Sequence, residues 1–145
     1  MDKPKLLAVS RRPLRPADAS GNECDRGGTP RELERKFRAR LDRALKREQA
    51  AGLNILKLSL SDTFAKGYPD WLLFGSGFCV AAEIKRVGEN PRPIQKQMLD
   101  RFARVGTSVG VIRPCGPSEY LFEWESWQTH ERSVYRSFGE WFGAL

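Results

Sequence analysis

The segment GYPDWLLFGSGFCVAAEIK, residues 67–85, decides the fold of this chain. Two short apolar runs, residues 71–74 and 78–84, flank the sequence GSG, which is typical of a hairpin turn because glycine adopts positive φ angles easily. Apolar runs of this length, bounded by turn residues, predict two buried strands. Asp70 precedes the first strand and Glu83 lies near the end of the second, so both carboxylates fall at one end of the hairpin.

The register of this hairpin decides whether the two carboxylates meet. A four-residue loop over residues 75–78 places Asp70 opposite Glu83, and this is the register that we expect. A three-residue loop would instead pair Asp70 with Ala82 and bring the acids together only through a bulge.

The carboxylates and their neighbouring lysine predict a metal-dependent chemistry. Glu83 and Lys85 share a face of the strand, because side chains two residues apart project together. Two carboxylates a few ångströms apart resist joint ionisation unless a cation lies between them. Magnesium suits this position because it prefers oxygen ligands and keeps several waters. The ammonium of Lys85 can hold the attacking water or offset charge on a phosphate, which predicts phosphodiester hydrolysis.

The same residues resemble the PD-(D/E)xK nuclease signature, and their surroundings are similar to its VRR-NUC (virus-type replication-repair nuclease) branch. That branch has a Gly-x-Pro-Asp turn, a Glu-x-Lys strand, a Gln opening the next helix, a glycine and a last apolar strand. These are matched in order by residues 67–70, residues 83–85, Gln95, Gly106 and residues 109–112. The resemblance covers about residues 34–113 and depends on the ordered set, since each motif alone occurs by chance.

The resemblance implies an α/β fold with a restriction-endonuclease-like core. In this core the first three strands of a mixed sheet are antiparallel, the fourth is parallel to the third, and helices flank the sheet. A strand–helix–strand crossover at residues 80–112 agrees with that parallel pair.

The resemblance also implies a DNA endonuclease that depends on Mg²⁺, or on Mn²⁺, cleaves branched DNA such as junctions or flaps, and acts as a homodimer. It implies a glutamate from the first helix at the metal site, and helical phase favours Glu34 over Glu32 because Glu34 shares the apolar face. The main-chain carbonyl of Ile84 is a further implied ligand. Gln95 is implied to position Lys85 or the water. A solvated Glu34 paired with Arg38, four residues along the helix, is the alternative.

Three cations are candidates for contact with DNA phosphates: Lys57, Arg86 and Arg92. A solvated strand lysine is the alternative for Lys57. The net charge of +7, with 30% charged residues, fits a nucleic-acid partner, although basic residues also serve solubility alone. A non-cleaving nucleic-acid-binding or protein-interaction module is therefore the competing hypothesis for the whole chain.

Local patterns predict three segments. Residues 1–29 form a basic flexible arm, residues 30–113 the nuclease core, and residues 114–145 an aromatic extension that packs on the core or forms a dimer interface; base stacking and a partner-protein surface are further alternatives. The predicted elements are helices at residues 30–50, 93–105 and 134–142 and further strands at residues 53–60, 108–112 and 119–124. The expected packing face of the second helix includes Ile94, Met98, Leu99 and Phe102.

Composition limits the cellular setting. Three widely spaced cysteines with no CxxC pair favour a reducing interior. No apolar run has the length of a membrane span, and no secretory signal or nucleotide-binding motif is visible. We therefore expect an intracellular, cytoplasmic protein of bacterial or viral origin, without a membrane partner or a nucleotide cofactor.

Overall fold

A computed structural model describes residues 30–60, 66–116 and 119–145, with the side chains of residues 30–32 excluded, so the predicted N-terminal arm lies outside it. The elements follow in this order: α1 (Pro30–Ala50), β1 (Leu56–Ser59), β2 (Trp71–Gly75), β3 (Phe78–Ile84), α2 (Pro93–Arg104), β4 (Ser108–Arg113), β5 (Phe122–Ser126), β6 (Arg132–Tyr135) and α3 (Phe138–Ala144).

The six strands form one mixed sheet in the order of the sequence, from β1 at one edge to β6 at the other. Neighbouring strands are antiparallel except for β3 and β4, which are parallel and are joined through α2. This arrangement confirms the predicted α/β class, the antiparallel first three strands and the parallel fourth strand. The sheet is larger than predicted, because β5 and β6 of the C-terminal extension continue it.

The main apolar core lies between the sheet and helices α1 and α3. The predicted stripe of α1 is confirmed, since Phe37, Leu41 and Leu45 are all buried. Two aromatic side chains of α3, Phe138 and Trp141, are fully buried in the same cluster. The aromatic extension is therefore core material, the first of the explanations considered for it.

Gly110 shows how tightly this core closes at the centre of the sheet. A Cβ atom at this position would lie 2.2 Å from the main-chain oxygen of Glu125 and 2.7 Å from the ring of Trp124. Only glycine lets the indole of Trp124 cross β4 at this distance, so the residue is required by packing.

Two local predictions were wrong. Residues 134–135 belong to β6 rather than to a helix, because Val134 and Tyr135 pair with β5, and the last helix begins only at Phe138. Ile94 was expected to pack inward but is 45% exposed, because Gln95 takes the buried position at the start of α2. Among the described residues, no helix combines the length and the apolarity that a membrane crossing requires.

Candidate active site

The candidate site lies at the open end of the β2–β3 hairpin. Trp71 pairs with Ala82 and Gly75 pairs with Phe78, so the turn is tighter than predicted but the expected register is confirmed. This register continues one step to place Asp70 beside Glu83.

The turn before β2 is fixed against the start of α2. Gly67 has a φ of +86°, and a Cβ atom there would lie 2.8 Å from the main-chain oxygen of Ile94. Tyr68 makes an edge-on contact with Phe102 of α2. Glycine supplies both the left-handed backbone and the close approach. The position of Asp70 is therefore tied to the helix that carries Gln95.

Asp70 is held from two sides. The main-chain N–H of Ile84 donates a hydrogen bond to its Oδ2 atom over 2.8 Å, and Nη1 of Arg38 donates to its Oδ1 atom over 2.9 Å. Ile84 itself points into the apolar core. The backbone of β3 thus orients one carboxylate while its side chains supply the other.

Glu83 is buried, with 2% of its surface exposed. Nε2 of Gln95 donates to its Oε1 atom over 2.8 Å, and Nζ of Lys85 lies 3.7 Å from the same oxygen. The Oε1 atom of Gln95 accepts from the main-chain N–H of Arg92 over 2.8 Å, which fixes the amide. Gln95 therefore contacts the carboxylate directly rather than Lys85.

The electrostatics of this pair favour an added positive charge. Burial, followed by the negative charge of Asp70, raises the pKa of Glu83 to about 9, while Lys85 opposes the shift. The Oε2 atom of Glu83 is buried and has no hydrogen-bond donor among the described residues, and a hydrogen bond shared with the Asp70 carboxyl also raises the pKa of Glu83. Either a proton or a metal ion would relieve this repulsion, so the donor set fits a hard divalent cation.

Glu34 reaches this pair through an arginine. Nη2 of Arg38 donates to Oε1 of Glu34 over 2.9 Å, while Nη1 of the same guanidinium contacts Asp70. Within residues 30–60, 66–116 and 119–145, no three His, Cys, Asp or Glu side chains converge in a group able to hold a metal ion. Asp70 and Glu83 are thus the two acidic residues that fit a cation as the side chains stand.

The structure separates the three cations expected to contact DNA. Lys57 forms an ion pair with Asp42 of α1, and its Nζ lies 4.8 Å from the centre of the Trp71 ring, on the face opposite Glu83. Arg86 lies in the loop after β3, with its Nε 3.3 Å from Glu89. Arg92 is exposed at the start of α2. Arg86 and Arg92 flank the site, and Lys57 does not reach it.

Sequence reasoning missed Arg113, which fixes the loop between β3 and α2. Its side chain is 4% exposed and donates from Nε to the main-chain oxygen of Glu89 over 2.9 Å and from Nη2 to Asn90 over 3.2 Å. Its Nη1 contacts Glu125 over 2.6 Å. The alternating acids of β5, Glu123 and Glu125, are the signal that could have predicted a buried cation on β4.

We compared the chain with family models, curated proteins and solved structures, and only the solved structures gave a match. No family model matches the chain, and a search of curated proteins finds no match. Among solved structures, the chain is similar to Hjc, a Holliday junction resolvase from the archaeal hyperthermophile Archaeoglobus fulgidus, with 18% sequence identity and a TM-score of 0.43. The alignment covers 71% of this chain and 83% of that chain.

Proposed function

We propose that this chain is a metal-dependent DNA endonuclease of the PD-(D/E)xK type, within the VRR-NUC branch that its motifs resemble. The observation that carries the proposal is the convergence of Asp70, Glu83 and Lys85 at one end of the hairpin, with a carboxylate oxygen buried and unpaired. A purely structural role would not favour leaving that oxygen without a partner.

Each residue has a distinct part in the proposed reaction. Asp70 and Glu83 would hold Mg²⁺, or Mn²⁺. The main-chain carbonyl of Ile84 and, if it turned away from Arg38, Glu34 would be further ligands. When bound, the ion lowers the pKa of a coordinated water and stabilises the charge that grows on the phosphate. Gln95 keeps Glu83 oriented, and Lys85 orients the water and offsets phosphate charge.

DNA is the proposed substrate, with branched forms preferred. The net charge of +7 favours a polyanion. Arg86 and Arg92, in the loop between β3 and α2, are the proposed contacts to phosphates beside the carboxylates. Lys57 is left out of this surface because it lies over Trp71, on the face of the sheet opposite Glu83.

A panel of four-way junctions, flaps, single strands and plain duplex, each with Mg²⁺, Mn²⁺ or chelator, tests the activity. Asp70→Ala and Lys85→Ala should each reduce divalent-dependent cleavage by about 10³-fold, while DNA binding persists. Lys96→Ala is the matched control, since Lys96 is exposed on α2. Cleavage by the Asp70 or Lys85 variant at the wild-type rate would overturn the proposal, and salt-sensitive binding without cleavage would favour a non-cleaving module.

We also propose a homodimer, on a different surface from the one the sequence suggested. The aromatic extension buries Trp124, Phe138 and Trp141 in its own core, which leaves them no part in an interface. Leu56 and Leu58 on the edge strand β1 are 67% and 48% exposed, which offers an apolar surface for a second copy.

A further inference from the structure

Arg38 is the one cation that contacts both Asp70 and Glu34 in the described part of the chain. Helical spacing predicts its pair with Glu34, but no sequence pattern predicts its contact with Asp70. Its guanidinium spans the two carboxylates, 2.9 Å from an oxygen of each. Burial lowers the pKa of Arg38, but the charge of Asp70 and the hydrogen bonds to both acids outweigh burial and raise this pKa above its usual value. The side chain is therefore a fixed positive charge at the edge of the proposed metal site.

We propose that Arg38 competes with the divalent ion for Asp70 and Glu34, so that metal binding must displace its guanidinium. This inference rests on the proposed function and deepens it, because it concerns the cation that the same carboxylates would hold.

The two oxygens of Asp70 show why displacement, rather than support, is expected. Oδ2 is already held by the main-chain N–H of Ile84, so β3 orients the carboxylate without help from Arg38. Oδ1 is the oxygen on which the guanidinium lies. A metal ion and a guanidinium that share this oxygen repel each other, and the energy depends on their separation and on the local dielectric.

The contacts of Glu34, at the other end of the guanidinium, also favour displacement of Arg38. Among the described residues, the carboxylate of Glu34 is bonded to Nη2 of Arg38, four residues along α1, a spacing typical of a helical ion pair. The Arg38 side chain is 36% exposed, so its charged end can rotate into water and regain hydration, at the cost of its hydrogen bonds to Asp70 and Glu34. Release of Arg38 would then leave Glu34 free to turn toward the ion.

Binding of Mn²⁺ to the purified full-length chain without DNA, measured by electron paramagnetic resonance and by calorimetry, tests the competition. Arg38→Met should bind Mn²⁺ about tenfold more tightly than wild type, because the competing charge is gone. Arg35→Met is the matched control, since it removes the same charge from an exposed position on the same helix, and its affinity should stay within about twofold of wild type.

The outcomes separate the two proposals. Equal or weaker binding by Arg38→Met, with its circular dichroism unchanged, overturns the competition while the proposed function stands. If Arg38→Met does not fold, Arg38→Lys serves instead, since one ammonium cannot span both acids, and its affinity should exceed that of wild type. Absence of Mn²⁺ binding by wild type and by both Arg38 variants would overturn the proposed function together with the competition.

Discussion

On the α1 side of the sheet, strand β3 contributes Val80, Ala82 and Ile84 to a continuous apolar cluster. On the α2 side it contributes Ala81 to a smaller apolar cluster and then Glu83, and Lys85 follows directly after the strand. The contrast extends across the sheet. The buried polar side chains of the described residues, namely Glu83, Lys85, Gln95, Arg113 and Glu123, all belong to the α2 side. Strand alternation thus gives the α1 side the larger apolar cluster, whereas the α2 side combines a smaller apolar cluster with the buried charges.

The two faces differ in how their buried side chains affect the stability of the fold. The α1 side gains stability from burial of apolar surface, about 25 cal/mol per Å². The α2 side buries carboxylates that repel each other, and such groups stabilise a fold only when they are paired and fully hydrogen-bonded. The difference teaches that stability and proposed chemistry can be tested separately, by substitutions on opposite faces of the same strands.

Among the substitutions, the largest expected effect on stability at a fixed pH comes from the α1 side. Trp141→Ala should lower the free energy of unfolding by about 3–5 kcal/mol, because the indole is fully buried against Phe122 and Trp124. Trp127→Ala is the control on the α2 side, where the indole is half-exposed and bonded to Asp100. Urea denaturation measures both, and an equal loss from the two variants would contradict the asymmetry of the faces.

A second substitution removes buried ion pairs on the α2 side and leaves the proposed metal ligands unchanged. Arg113→Met should cost about 2–3 kcal/mol, because Glu123 and Glu125 lose a buried partner. Hydrogen exchange should also quicken at Asn90 and its neighbours, since the substitution releases the loop. Arg104→Met, on an exposed position of α2, should change neither quantity. Unchanged exchange in the loop would show that Arg113 does not hold it.

The sequence predicts the difference between the two faces where it depends on neighbouring residues, and fails where it depends on contacts between residues far apart in the chain. The alternation of Glu83 and Lys85 with Ile84 is local, and it correctly separated the polar side of β3 from the apolar one. The pair of Arg38 with Glu34 is local and follows from helical spacing. The contact of Arg38 with Asp70 and the contacts of Arg113 could not be predicted, because they depend on the angle at which α1 crosses the sheet and on where a loop returns. For the same reason, the place of Gln95 at the start of α2 was predicted, but its hydrogen bond to Glu83 was not.

The paired carboxyls on the α2 side predict an alkaline loss of stability in the presence of chelator. The folded state keeps a proton on Glu83 up to a pKa of about 9, whereas the unfolded chain releases it near 4.5. The stabilisation is therefore complete below pH 4.5 and is lost as pH rises toward 9, with a slope of at most about 1.4 kcal/mol per pH unit.

Urea midpoints between pH 5 and pH 9 measure this slope. Glu83→Gln should flatten it, because the amide does not titrate while Asp70, Lys85 and Arg38 around it are unchanged. A smaller slope should remain from Glu123, whose pKa is raised by burial against the opposing charges of Arg132 and Arg113. Parallel pH profiles for wild type and Glu83→Gln would show that Glu83 is already ionised in the folded chain.

The smallest expected effect comes from the part of the α2 side that the helix leaves uncovered. Leu58 lies next to Leu72 across the β1–β2 pair and is 48% exposed, so Leu58→Ala should change the free energy of unfolding by less than about 0.5 kcal/mol in a monomer. Leu73→Ala, one residue along β2 but fully buried on the α1 side, should cost about 2–5 kcal/mol. Repeating both measurements over a hundredfold range of protein concentration sharpens the comparison, since a second copy seated on β1 would make the Leu58 effect larger and concentration-dependent. A small effect at every concentration would contradict the proposed dimer surface while leaving the contrast between the two faces intact.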